Sequence, residues 1–242
     1  MDVSTAFRQA MMEAERIATA LNGKRSGNRW MARCPSHDDK TPSLSISDAA
    51  FSLDGSQIVT LSDDNTARVW DAATGGLLHV VAGHEDSLQH VVFSPDGARV
   101  VTASMDNTAG VWDAATGSLL YTLKGHREGP DLESIVARGV RHAAFSPDGT
   151  RIVTSGGDAT ARVWDAATGA PLHALEGHKS SVYYASFSSD GTRLVTASGD
   201  DTVRVWKLPP SGQALIAHAR SILPPSRRAL TAEERRQFFL AQ

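Results

Sequence analysis

Two sets of side chains have types and spacing that could do chemistry. The first is Cys34-Pro-Ser-His37, a thiol and an imidazole set two residues apart. This is half of a structural zinc site, which takes four ligands in a tetrahedron. The chain has one cysteine, so a second Cys-x-x-Cys half does not follow. Asp38 or Asp39 could add a carboxylate and give at most weak binding. The second set pairs histidine, serine and aspartate. His84, Ser104 and Asp106 return as His178, Ser198 and Asp200, and His126 with Asp158 repeats two of the three. Such residues invite a hydrolase reading. A catalytic triad, however, occurs once, at a cleft, around one activated nucleophile. Groups that return with a fixed period are fold-making, because they satisfy buried polar atoms. No catalytic residue is expected.

The period itself comes from four segments, TARVWDAATGGLL, TAGVWDAATGSLL, TARVWDAATGAPL and TVRVWKLPPSGQAL. Their tryptophans, Trp70, Trp112, Trp164 and Trp206, are spaced by 42, 52 and 42 residues. Ahead of them stand FSLDGSQIVT, FSPDGARVVT, FSPDGTRIVT and FSSDGTRLVT, and Gly83-His84, Gly125-His126 and Gly177-His178 lie between units. This pattern over about residues 45–206 resembles the WD-repeat (WD40) family of β-propellers. The resemblance implies four-stranded blades, each with a His, Ser/Thr, Asp and Trp joined by hydrogen bonds. It makes His84–Ser104–Asp106–Trp112 and His178–Ser198–Asp200–Trp206 complete tetrads. The third, His126, Asp158 and Trp164, has Gly156 where the others have serine; Ser155 is one position off and faces the other way.

The residues support the same architecture. The second unit offers strands over Leu88–Phe93, Arg99–Ser104, Thr108–Trp112 and Leu119–Lys124, with Asp96-Gly97 and Thr116-Gly117 as turns. Valine, isoleucine and threonine alternate with small or polar residues, as a half-buried pleat requires. In the first unit the inner strand is expected at residues 45–51, and Pro42 stands where a histidine would be. From His84 to Phe93 and from His178 to Phe187 is nine residues; from His126 to Phe145 is nineteen. The extra length gives an exposed loop with Glu128, Asp131, Leu132, Glu133, Ile135, Arg138 and Arg141 as candidate partner contacts.

The ends lie outside the period. Residues 4–21 place Phe7, Met11, Ala14, Ile17 and Leu21 on one helical face. The stretch NRWMARCPSHDDKTPSLSI resembles the start of the zinc-binding domain of bacterial and phage-type DNA primases, with Cys34 and His37 as the first ligand pair. The second pair is missing, so no zinc or other cofactor is expected. Past Lys207, Leu215, Ile216, Ala219, Ile222 and Leu223 have helical spacing, and Thr231 with Glu234 forms a capping box. The chain therefore divides into a leader, 1–46, four repeats, 47–206, and a helical tail, 207–242.

Charge narrows the partners. The net charge of −3 separates into +2 over 1–47, −9 over 48–206 and +4 beyond. An acidic middle repels phosphate backbones, so nucleic acid is not expected there. No apolar run reaches the roughly 20 residues that span a bilayer, and no secretory signal is evident. A cytoplasmic location follows as the expectation. The reading is a mostly β fold, a partial propeller with short helical ends, acting as a non-enzymatic protein–protein interaction scaffold. A zinc-dependent nucleic-acid-binding protein and a gene-fusion remnant are the alternatives. Four repeats leave a closed small ring, a capped arc or a homodimer completing a ring open.

Overall fold

The computed structural model describes residues 24–26, 29–32, 44–46, 48–62, 64–127, 129 and 138–209. All its regular elements are antiparallel strands; among the described residues there is no helix. The helices expected over 4–21 and in the tail lie outside them, as do Cys34 and His37. A leader sheet comes first, in the order β1 (Lys24–Ser26), β2 (Arg29–Ala32), β3 (Leu44–Ile46). Four blades follow. Blade 1 contains β4 (Ala49–Phe51), β5 (Gln57–Leu61), β6 (Ala67–Asp71) and β7 (Leu77–Val81). Blade 2 contains β8 (Leu88–Phe93), β9 (Arg99–Ser104), β10 (Thr108–Asp113) and β11 (Leu119–Lys124). Blade 3 contains β12 (Val140–Phe145), β13 (Arg151–Gly156), β14 (Ala161–Asp165) and β15 (Pro171–Leu175). Among the described residues blade 4 has three strands, β16 (Val182–Phe187), β17 (Arg193–Ser198) and β18 (Val203–Lys207).

Turn chemistry builds these meanders. After each inner strand a serine accepts from the backbone five residues on, as Ser94 Oγ does from Arg99 N at 2.9 Å. Gly97, at φ +70°, supplies the left-handed residue the turn requires. After the third strand Asp113 Oδ1 accepts from Thr116 N and Oγ1, both at 2.8 Å. Asp71–Thr74 and Asp165–Thr168 repeat that turn and lead the chain into the outer strand. In blade 4, Lys207 stands at the aspartate's place and Pro209-Pro210 follows. That sequence has neither the acceptor nor the threonine, and its prolines carry no N–H.

The first inner strand departs from the sequence expectation. Residues 45–51 do not form one strand. Ile46 pairs with Trp30 in the leader sheet, and blade 1 starts at Ala49, which pairs with Thr60. Asp48 stands at the break, its carbonyl still accepting from Leu61 N at 3.0 Å. Its Oδ1 accepts from Ala49 N and its Oδ2 from Val91 N of blade 2, both at 3.0 Å. A carboxylate that bonds its own backbone competes with ladder pairing.

Blades pack by unlike faces. Val59, Leu61, Ala67 and Val69 of blade 1 meet Val91, Phe93, Val100 and Trp112 of blade 2. Val101, Ala103, Ala109 and Val111 then meet Ala143, Ile152 and Trp164 of blade 3. Inner strand β12 lies between β8 and β16, so the blades follow one another in chain order. Arginines add polar clamps. Arg99 of blade 2 donates to Gly149 O at 3.0 Å and to Ala166 O, with its guanidinium 5.3 Å from the Phe145 ring centre. Arg151 of blade 3 repeats this on Gly191 O, at 2.6 Å, and Phe187.

Candidate functional site

The periodic polar residues meet at one edge of each blade. In blade 2, His84 Nδ1 is 2.7 Å from Asp106 Oδ2, and its Nε2 is 2.8 Å from Thr102 Oγ1. Trp112 Nε1 donates to the same Thr102 oxygen at 2.9 Å. Tryptophan can only donate, which leaves the Thr102 hydroxyl to donate to His84 Nε2 or to Gly110 O at 3.4 Å; with Nε2 as acceptor, His84 Nδ1–H donates to the Asp106 carboxylate. Blade 3 builds the same relay from Trp164, Thr154, His126 and Asp158. Blade 4 builds it from Trp206, Thr196, His178 and Asp200.

The shared hydroxyl is thus threonine, not the serine expected. Ser104 Oγ donates to Asp86 O and accepts from Asp106 N, and these bonds take it outside the His84–Trp112 relay. Ser198 does the equivalent with Ser180 O and Asp200 N. The third blade lacks nothing, since Thr154 serves where Gly156 was read as a gap. Ser155 is fully buried on the opposite face, and its hydroxyl has no hydrogen-bond partner. A sequence signal for the threonines exists. Thr60, Thr102, Thr154 and Thr196 each lie ten residues before a tryptophan, without exception.

The aspartates are held as carboxylates. For Asp106 and Asp158, burial pushes the pKa up, but the hydrogen bonds from histidine and threonine outweigh it and leave both below the usual range. Backbone amides of Glu85 and Arg127 add to this, each at 3.1 Å. In blade 1 Asp64 is paired not with a histidine but with Arg68, whose Nη2 is 2.6 Å from Asp64 Oδ2. Burial raises the Asp64 pKa, and the bonds from Arg68 and Thr66 reverse that to hold it at about 2. These Thr–His–Asp sets resemble a nucleophile relay in outline. Thr102, Thr154 and Thr196 are fully buried, however, and each already accepts from an indole. No substrate can approach them.

The long insertion emerges at this same edge, between β11 and β12. Its stem is clamped: Gly139 N donates to Asn107 Oδ1 at 3.0 Å, and Gly139 O accepts from Gly157 N at 2.9 Å. Glu128, Asp131, Leu132, Glu133 and Ile135 lie outside the described residues. Arg138 is exposed. Arg141 is not part of the loop. It lies in β12, half-buried, with Nη1 3.4 Å from Gln89 Oε1.

A second polar line crosses the inner strands. Asp48, His90, His142 and Tyr184 each stand three residues before the inner-strand phenylalanine. The His90 and His142 ring centres are 3.9 Å apart, and those of His142 and Tyr184 4.5 Å. The Nδ1 atoms of both histidines are buried without partners. Among the described residues no three His, Cys, Asp or Glu side chains converge to hold a metal ion.

Comparison with known proteins agrees with this architecture. The family model described as "WD domain, G-beta repeat" matches residues 31–71, 75–113, 117–165 and 169–207. The first match begins at Met31, inside the stretch that resembles a primase leader. "Dynein assembly factor with WD repeat domains 1" of Xenopus laevis is 45% identical over 42 residues, and its Danio rerio counterpart 43% over 42. Each match covers 17% of this chain and 10% of the relative, so the chain spans about a tenth of those proteins.

Proposed function

Since the chain belongs to the WD-repeat family, we propose that it is a non-enzymatic scaffold for protein–protein interaction. One observation carries the reading. Each complete relay is internally paired around a fully buried threonine, while the one break in the repeat period is a clamped insertion at the same edge. A rigid stem with a variable tip is how repeat folds present contact residues. Glu128, Asp131, Leu132, Glu133, Ile135 and Arg138 are the proposed contacts. Their mix of both charges with aliphatic side chains suits a protein surface better than a phosphate backbone. What the two relatives assemble is not carried over, because one repeat in common transfers a fold unit and not a partner.

The test replaces residues 128–137 by two glycines. The immobilised full chain and this variant are exposed to extract from the cells that make the protein, after equal urea midpoints are confirmed. A partner held by the full chain and lost by the variant supports the assignment. A partner held equally by both, or a turnover abolished by His126→Ala, overturns it.

A further inference from the structure

Blade 4 repeats two features that other blades use on the blade that follows them. The first is an apolar face. Val59, Leu61, Ala67 and Val69 in blade 1, and Val101, Ala103, Ala109 and Val111 in blade 2, are fully buried by the next blade's tryptophan-bearing face. The same positions in blade 4 are Val195, Ala197, Val203 and Val205. Val203 is 60% exposed and Val205 67%. A β-branched pair left this open at the end of a stacked array marks a contact surface.

The second feature is the clamp. Arg99 and Arg151 begin the second strands of blades 2 and 3, and each reaches the next blade's glycine carbonyl and phenylalanine ring. Arg193 begins the second strand of blade 4 and is exposed. Its counterparts define what it would meet: a carbonyl in a Ser-Xaa-Asp-Gly turn beneath an aromatic ring.

We propose that this end of the array docks the tryptophan-bearing face of a further WD-type blade carried by another chain. The face and the arginine are independent features, and both have worked examples at the junctions inside this molecule. A second copy does not supply the occupant. In blade 1, Ile58, Thr60, Arg68 and Trp70 are already buried, and β3 packs against β5. The tryptophan faces of blades 2, 3 and 4 each lie against the preceding blade. A homodimer that closes head to tail would have to strip cover from Trp70. The partner must therefore present an inner-strand phenylalanine for Arg193 and a tryptophan strand for Val203 and Val205.

Photocrosslinking tests this on the full chain. The probe is p-benzoylphenylalanine at position 203, expressed in the cells that make the protein and mapped by peptide mass spectrometry. The expected adduct joins position 203 to the strand or tryptophan of a WD blade in a different protein. Arg193→Glu and Val205→Asp should each cut its yield at least tenfold, with urea midpoints unchanged because both side chains are exposed. An adduct to a second copy, to this chain's own residues, or to a protein without WD blades overturns the proposal. So does the absence of any adduct.

Discussion

Adjacent residues Thr154 and Ser155 give the sharpest test of how the blades are held. Both are fully buried hydroxyls on β13. Thr154 Oγ1 lies 2.8 Å from His126 Nε2 and 2.8 Å from Trp164 Nε1. Valine keeps the shape but removes the oxygen, and it orphans an indole N–H and an imidazole nitrogen in the interior. At about 1–3 kcal/mol for each unpaired buried group, less a small gain from valine's strand preference, Thr154→Val should cost about 2–4 kcal/mol. Ser155 Oγ has no partner. Ser155→Ala removes an unsatisfied group at little loss of volume, so it should be neutral or stabilise by up to about 1 kcal/mol. Urea unfolding at pH 7.5, followed by tryptophan fluorescence and by far-ultraviolet circular dichroism, reads both. A domain stable by about 5–15 kcal/mol would show the first as a large drop in midpoint. Equal costs for the two substitutions, or a Thr154→Val cost under about 1 kcal/mol, would refute the assignment of threonine as the shared hydroxyl.

Three further outcomes follow from the same coordinates. Burial first, and the neighbouring His90 second, hold His142 well below 6.5, so the folded chain keeps it neutral while the unfolded chain takes up a proton. Stability is therefore full above pH 6.5 and declines as pH falls below it; urea midpoints at pH 7.5 and 5.5 should differ less in His142→Phe than in the native chain. Ala159 sits at φ +62°, where a side chain is strained, so Ala159→Gly should stabilise by up to about 1 kcal/mol, read as a higher Tm. Gly139 has φ +76°, and a Cβ there would lie 2.5 Å from Met105 Cα, so Gly139→Ala should cost about 2 kcal/mol or more and loosen the insertion's stem, read by proteolysis within 128–137.

Much of this molecule is local and therefore legible. Strand starts, Asp-Gly turns and the Asp–Thr turns depend on residues within five positions of one another, and they recur four or three times. The loss of the Asp–Thr turn after the third strand of blade 4 is written in Lys207 and Pro209-Pro210 in the same way. The tetrad was only half legible. His84, Asp106 and Trp112 were identifiable by period, but the hydroxyl they share depends on how far an indole reaches along a neighbouring strand. Thr102 and Ser104 lie on one face of β9, two residues apart, and only the unbroken recurrence of the threonine, against the Gly156 break at the serine position, separates them in the sequence.

The amino-acid sequence by itself determined the class of fold, the number of repeats and the turns that close them, because those follow from short-range backbone preference and a period. The tertiary structure alone decided which hydroxyl completes each relay, that the first inner strand divides at Asp48, and that Arg141 lies in β12 beside Gln89. It also decided which end of the array is covered. Ile58 and Val205 are both apolar strand residues, and what separates a buried one from an exposed one is the presence of a neighbouring sheet, a long-range contact to which no local pattern refers.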